Sequence, residues 1–192
     1  MKFLPRRHIL LTAPVFALAG CASPPTNYYR LAPMPGPAVG FGTISIGVRS
    51  IDIPGYLDQN NIARPGSPYQ FNTFPNDLWA EPLAAMLQSV MVQNLASRLP
   101  NATIIASGGG IEAPSHILVE VNILRFDPTP DDQVLLLAQA AIKTGPARKL
   151  LAEKTIRAIA ATALDATSIV AAMSALWSYF ATQTAAMITA LP

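Results

Sequence analysis

The stretch 117–162 constrains the fold more than any other part of this 192-residue chain. Three long strand candidates lie in it. The first, 117–126, alternates at Ile117, Val119, Val121 and Ile123 with the period of two that is typical of half-buried strands. The second, 134–143, runs back after a turn at 127–132, and the third, 148–162, has a less regular pattern. The intervening links are too short for the crossover that parallel strands require. We therefore predict an antiparallel meander of three strands.

Two other segments have the helical period. Apolar residues recur at spacings of three and four over 78–99 and over 166–191, which is typical of helices with one buried face. Pro82 must lie in the first turn of the first helix, because only there is the missing N–H without a partner. Asp77 and Asp165 are the predicted N-caps.

Shorter strand candidates lie at 28–31, 43–52 and 102–106. No internal repeat and no second compositional region divides the sequence. We predict a single α+β domain over 28–192, with a mainly antiparallel sheet and two helices packed on one face.

The N-terminus has the layout of an export signal. Basic residues are followed by ten mostly apolar residues, 9–18, too few to span a bilayer as a helix, and then by the single cysteine, Cys21. The four residues ending at Cys21, Leu-Ala-Gly-Cys, resemble the bacterial lipobox, which implies cleavage between Gly20 and Cys21. An ordinary signal peptide with an unmodified cysteine, or a buried N-terminal helix, are the alternatives.

The lipobox resemblance implies a signal peptide over 1–20 and a lipid-anchored tether over 21–27. It also implies a diacylglyceryl group and an N-acyl chain on Cys21, with no other cofactor. Several acyl chains hold a protein stably on a membrane, whereas one does not. Ala22 is not the aspartate that commonly retains lipoproteins in the inner membrane, so we expect the periplasmic side of the outer membrane. Arg6-Arg7 leaves Sec and twin-arginine export both open.

Charge argues against nucleic-acid binding. Three of the 13 Lys and Arg residues lie in the predicted signal, so ten remain against 11 acidic residues, a formal net charge of −1 for the mature chain. Such a chain lacks the basic surface that phosphate backbones require. At 12% charged residues it is also unusually poor in charge, which leaves a homo-oligomer open.

Residues for catalysis or metal binding are scarce. His116 is the one histidine after the signal, and Cys21 is assigned to lipid attachment, so neither a Ser-His-Asp triad nor a zinc site is expected. Asp131 and Asp132 are adjacent but lie in a proline-rich turn, where solvated acids are common. We therefore predict that the protein is not an enzyme and binds no metal.

Several stretches in order resemble the ABC-type transport auxiliary lipoproteins, the PqiC-like family. They are the lipobox, Tyr-Tyr-Arg-Leu at 28–31, and ISIGVRSIDIPGYLDQNNIARPG, LWAEPL, NLASRLP and VEVNILRFD, which begin at residues 44, 78, 94 and 119. The resemblance implies a fold like that of TolB N-terminal-type lipoprotein domains. It also implies a periplasmic MCE-domain partner with an ABC permease and ATPase, in a system that moves lipid between the two membranes.

Trp79 and Glu81 are the candidate partner-facing residues. Each has a structural alternative: Trp79 as an anchor between helix and sheet, and Glu81 as a first-turn acid that pairs with Arg49 or Arg64. Docking of the periplasmic conduit at the outer membrane is the predicted function. A periplasmic lipid-binding carrier and a structural or regulatory envelope lipoprotein are the alternatives.

Overall fold

The structure is a computed structural model, and it describes residues 24–40, 42–67, 69–111 and 113–192. Gly20, Cys21 and the predicted signal peptide lie outside the described residues. The described chain forms eight strands, two α-helices and one 3-10 helix at Gly55–Leu57. They are β1 (Asn27–Tyr29), β2 (Ser45–Val48), β3 (Asn61–Arg64), β4 (Asn72–Trp79), α1 (Leu83–Arg98), β5 (Thr103–Ala106), β6 (Ile117–Thr129), β7 (Gln133–Thr144), β8 (Leu150–Ala161) and α2 (Ala166–Thr189).

The larger sheet has five strands in the order β5-β2-β6-β7-β8. The predicted meander is confirmed: β6, β7 and β8 are antiparallel, and β6 is paired with β7 along its whole length. The short strand β2 is parallel to both of its neighbours, β5 and β6. The β2–β5 pair is parallel because the chain between these strands, which includes β3, β4 and α1, returns to the same end of the sheet.

A second, smaller sheet has the order β1-β4-β3. Here β3 and β4 form an antiparallel hairpin whose turn spans residues 65–71, and β1 runs parallel to β4. A strand at 28–31 and a small hairpin or two extended pieces over 61–71 were predicted from the sequence, but a second sheet was not. Most of β4 was not predicted, and its last two residues were assigned to the first helix. The fold class, a single α+β domain with two helices, is confirmed.

The start of α1 corrects the sequence analysis. Pro82 is the N-cap residue, the helix begins at Leu83, and no side chain caps it. Asp77 lies within β4, where it is paired with Asn27, so it is not the cap. At α2 the prediction is confirmed, since the side chain of Asp165 accepts a hydrogen bond of 2.9 Å from the backbone N–H of Ser168.

The core lies between the helices and one face of the larger sheet. Alternate residues of β6 and β7 are buried there, as the period of two predicts. Trp177 of α2 is completely buried, stacks on Phe180 at 5.0 Å between ring centroids, and donates from its indole nitrogen to the carbonyl of Leu87 in α1. The methionine and leucine stripe of α1, Met86, Leu87 and Met91, is likewise core. The other face of the meander is half-exposed.

Candidate functional site

Trp79 is the last residue of β4 and is only 7% exposed. Its backbone N–H donates to the carbonyl of Asn60, and its ring borders an enclosed space of about 10 Å³ together with Leu83 and Phe126. That volume is about what a single water needs, far less than an acyl chain. The position agrees with the anchoring role for Trp79, between the small sheet and the helices.

Glu81 is exposed and directly precedes Pro82, the N-cap of α1, so it lies just outside the first turn where it was predicted. No ion pair among the described residues joins Glu81 to Arg49 or Arg64, and Arg49 lies instead beside Glu120. Of the two candidate residues, Glu81 is the one that presents its side chain to solvent. Its contact with a partner stays a prediction.

A segment that we call the N-terminal strap, residues 31–39, crosses both helices and is fixed by hydrogen bonds to their side chains. Ala32 N–H donates to the hydroxyl of Ser174 on α2, and Met34 N–H donates to the amide oxygen of Asn94 on α1. The strap ends with a bond from Val39 N–H to the carbonyl of Arg98. The chain between the predicted tether and the sheet is therefore part of the packed domain.

Arg98 of α1 fixes the N-terminal strap to both helices through its side-chain hydrogen bonds. Its side chain is buried and donates to the carbonyl of Met34 in the strap, to Asn94 in its own helix, and to Ser178 and Thr182 in α2. All these acceptors are neutral, and burial lowers the pKa of the guanidinium. Arg98 thus joins three parts of the chain through hydrogen bonds, with its charge dispersed over several oxygens.

The most strongly charged cluster lies on the half-exposed face of the meander. The carboxylate of Glu120 in β6 contacts the amine of Lys143 in β7 at 2.6 Å and the guanidinium of Arg148 at 2.5 Å, with that of Arg49 at 3.8 Å. Arg148 lies in the β7–β8 connection with a φ of 51°, a left-handed conformation that side chains seldom adopt. The turn therefore directs this arginine at Glu120.

These residues border a cleft that we call the polar groove, with a volume of about 580 Å³. Its floor includes Asn122 and Gln139, whose amide groups are hydrogen-bonded to each other at 3.1 Å. Asp52 and Glu153 line it as well, so the lining carries charges of both signs. Such a surface suits a polar, charge-complementary protein partner.

The pH dependence of stability tests the Glu120 cluster. The hydrogen bond from Lys143 is the main cause that lowers the pKa of Glu120 below its ordinary value of 4.5. A lowered pKa in the folded state stabilises the fold above pH 4.5, and this stabilisation disappears as the pH falls through the folded value. We expect Glu120→Gln to lower the free energy of unfolding by about 1 kcal/mol at pH 7.

The difference between Glu120→Gln and the natural protein should vanish well below pH 4.5, as measured by urea unfolding across pH. Glu153→Gln is the control, because Glu153 is exposed and forms no ion pair within the described ranges. A difference for Glu120→Gln that stays constant with pH would contradict the role of the cluster.

Ser45 and His116 are in contact, with 2.9 Å between the hydroxyl and the ring nitrogen Nδ1. The same hydroxyl lies 2.7 Å from the carbonyl of Pro114, which accepts its proton. The hydroxyl is therefore not directed at the imidazole as the nucleophile of a triad would be. The pair ties β2 to the segment before β6.

Sequence reasoning missed both Arg98 and the Glu120 cluster. Arg98 follows Met91 and Asn94 at spacings of three and four, so a charged residue on the apolar face of the helix was visible in the sequence. Glu120 lies at an outward position of an alternating strand, and its three cations come from distant positions that only the strand register brings together.

Across the described residues, no group of three or more His, Cys, Asp or Glu side chains is arranged to hold a metal ion. In the same part of the chain, no helix has both the length and the apolar character to cross a bilayer.

The fold and the comparisons define a class of protein. The family of ABC-type transport auxiliary lipoprotein components matches residues 29–185, and the chain belongs to this family. No curated protein matches the chain. The family match over residues 29–185 confirms the resemblance that the sequence motifs indicated.

Solved structures share the fold. The crystal structure of an uncharacterized protein has a TM-score of 0.72 at 20% identity, covering 86% of this chain and 99% of that one. A protein from Xanthomonas campestris of the DUF330 family has a TM-score of 0.69 at 15% identity, covering 85% and 96%. A hypothetical protein from Chlamydia trachomatis has a TM-score of 0.50 at 10% identity, covering 78% and 98%.

Proposed function

We propose that this protein is an outer-membrane lipoprotein that docks the periplasmic conduit of an MCE/ABC-type lipid transport system. The observation that carries the proposal is membership of the transport auxiliary family over residues 29–185. The lipobox at Cys21 supports the anchor on the periplasmic side of the outer membrane. The family is one of transport auxiliary components, and we propose a docking role without catalysis.

The polar groove is the docking surface in this proposal. It holds exposed arginines, which are enriched where proteins bind each other, and its charges are paired in a fixed arrangement around Glu120. The partner is a periplasmic MCE-domain protein associated with a permease and an ATPase. Glu81, which is exposed at the start of α1, is a second contact in the same proposal.

The free edge of β8 supports self-association as part of the proposed assembly. This strand is 12 residues long, and no other strand of the described chain pairs with its outer edge. Long free edges offer unpaired N–H and C=O groups to another chain. The mass of the complex recovered in the experiment below reports whether several copies are present.

The test is purification of the native, lipidated protein in mild detergent through a C-terminal tag, followed by mass spectrometry of what is retained. We expect an MCE-domain protein with its permease and ATPase. We expect Arg148→Glu to reduce their recovery at least tenfold, because it replaces the ion pair between Arg148 and Glu120 with two negative charges that repel each other.

Arg30→Glu is the matched control, an equal charge reversal at an exposed arginine outside the groove, and it should retain the partner. Equal recovery with both variants would exclude the groove as the docking surface. Retention of phospholipid without these proteins would contradict docking and favour a lipid carrier. Retention of a cell-wall enzyme instead would favour a structural or regulatory lipoprotein.

A further inference from the structure

The direction in which the chain enters the domain is set by β1. This strand runs parallel to β4, with Asn27 opposite Asp77 and Tyr29 opposite Trp79. The side-chain amide of Asn27 donates to the carboxylate of Asp77 at 2.9 Å, which fixes the register. The N-terminal end of β1 therefore points along β4 toward the first residue of that strand, Asn72, and the β3–β4 turn beyond it.

The length of chain before β1 limits where a lipid on Cys21 can lie. Six residue steps lead from Cys21 to Asn27, and they span about 20 Å at most when fully extended. The five steps from Asp77 back to Asn72 cover about 17 Å of β4. The reach of the tether thus matches the distance to the β3–β4 turn, on the side toward which β1 points.

Three aromatic side chains, which we call the aromatic tip, cluster at this end of the molecule. Tyr69 in the β3–β4 turn is 99% exposed, and Phe71 and Tyr56 are each 39% exposed. Phe71 and Tyr56 contact each other edge to face, with 5.1 Å between ring centroids. Aromatic side chains with polar groups are the ones that concentrate at the interface between lipid and water.

The charges beside the aromatic tip are nearly balanced. The adjoining cleft, of about 700 Å³, is lined by the arginines Arg64, Arg125 and Arg157 and by the aspartates Asp127 and Asp131. The guanidinium of Arg125 is bonded to both carboxylate oxygens of Asp127, at 2.8 and 3.2 Å. A nearly neutral surface with arginines and aromatic rings suits zwitterionic phospholipid, whose headgroups carry both signs.

Tyr56 remains neutral in this environment. Its hydroxyl donates to Asp127 at 3.3 Å. Burial, and then the nearby charge of Asp127, raise the pKa of the phenol to about 12. The ring therefore carries no charge that would oppose its insertion among headgroups.

We propose that the aromatic tip rests in the interfacial region of the zwitterionic bilayer that holds the Cys21 lipid. The inference rests on the proposed function, because it takes the acylation of Cys21 from it. Glu120 precedes Asp127 by seven residues along β6, about 23 Å. The polar groove is thereby held away from the bilayer, where a periplasmic partner has access to it.

The test uses the full-length, lipidated protein with one introduced cysteine labelled by a small fluorophore. Tyr69→Cys places the label in the aromatic tip, and Ala147→Cys places it in the exposed β7–β8 turn at the opposite end of the meander. Each protein is reconstituted in phosphatidylcholine and phosphatidylethanolamine vesicles that contain a nitroxide-labelled phosphatidylcholine. We expect at least threefold stronger quenching at position 69 than at position 147.

Equal quenching at the two positions, or stronger quenching at 147, would overturn the proposal. Gln70→Cys, in the same turn, replaces Tyr69→Cys if that variant does not fold. Mass spectrometry of the N-terminal peptide separates the two hypotheses. An unmodified Cys21 would refute the anchor of the proposed function, whereas a lipidated Cys21 with an unquenched label at 69 would refute the aromatic tip alone.

Discussion

Trp177→Ala is expected to lower the free energy of unfolding by about 3–5 kcal/mol, the range found for removal of a large buried aromatic side chain. Trp177 is completely buried between Phe180 and Phe126, at centroid distances of 5.0 and 6.1 Å, and its indole N–H is bonded to Leu87 of α1. The substitution removes these contacts and leaves a cavity between α2 and the sheet. Thermal unfolding followed by circular dichroism should show Tm falling by roughly 10 °C.

The matched control is Tyr179→Ala, two residues along the same helix. Tyr179 is 47% exposed and lies outside the core, so we expect a change within about 0.5 kcal/mol. Similar losses for both variants would mean that helix propensity, and not packing of the indole, sets the effect.

Cys21→Ser is expected to release the protein from the membrane fraction almost completely. Each buried methylene of an acyl chain contributes about 0.8 kcal/mol to membrane binding, and without an attached lipid none of this free energy is available. Incorporation of labelled fatty acid measures the loss of the lipid, and fractionation of the envelope measures the release of the protein from the membrane.

Ala22→Gly, which leaves the cysteine in place, is the control and should remain labelled and membrane-bound. A Cys21→Ser protein that stays firmly in the membrane fraction would show that another part of the chain provides the attachment. Ala22→Asp should move the lipidated protein toward the inner membrane if the sorting resemblance holds.

The parts of the fold that local patterns predicted are those governed by local physics. Alternation over 117–126 predicted β6, the segment after the turn at 127–132 was predicted as the strand that became β7, and their short connection required an antiparallel pair. Asp165 was recognised as the cap of α2 because an aspartate before a helical apolar period satisfies free backbone N–H groups. The burial of Met86 and Met91 followed from the spacing of the apolar residues of α1.

Other features depend on contacts between distant positions and were not predicted. Residues 78–82 continue the helical spacing of α1, yet the chain there ends β4, because pairing with β1 and β3 satisfies its backbone groups. The parallel position of β2 between β5 and β6 has no short-range signal. The Glu120 cluster is likewise assembled by register and not by spacing in the sequence.

The N-terminal strap has a mechanical consequence. With the proposed anchor on Cys21, tension on the N-terminus would enter the domain along β1, and because β1 lies parallel to β4, its hydrogen bonds would be loaded together in shear rather than opened one after another. Behind β1, the bonds of the strap to Asn94, Arg98 and Ser174 pass the remaining force to the two helices. The meander lies off this path, so in the proposed assembly the polar groove would keep its shape while the membrane and a bound partner pull in opposite directions.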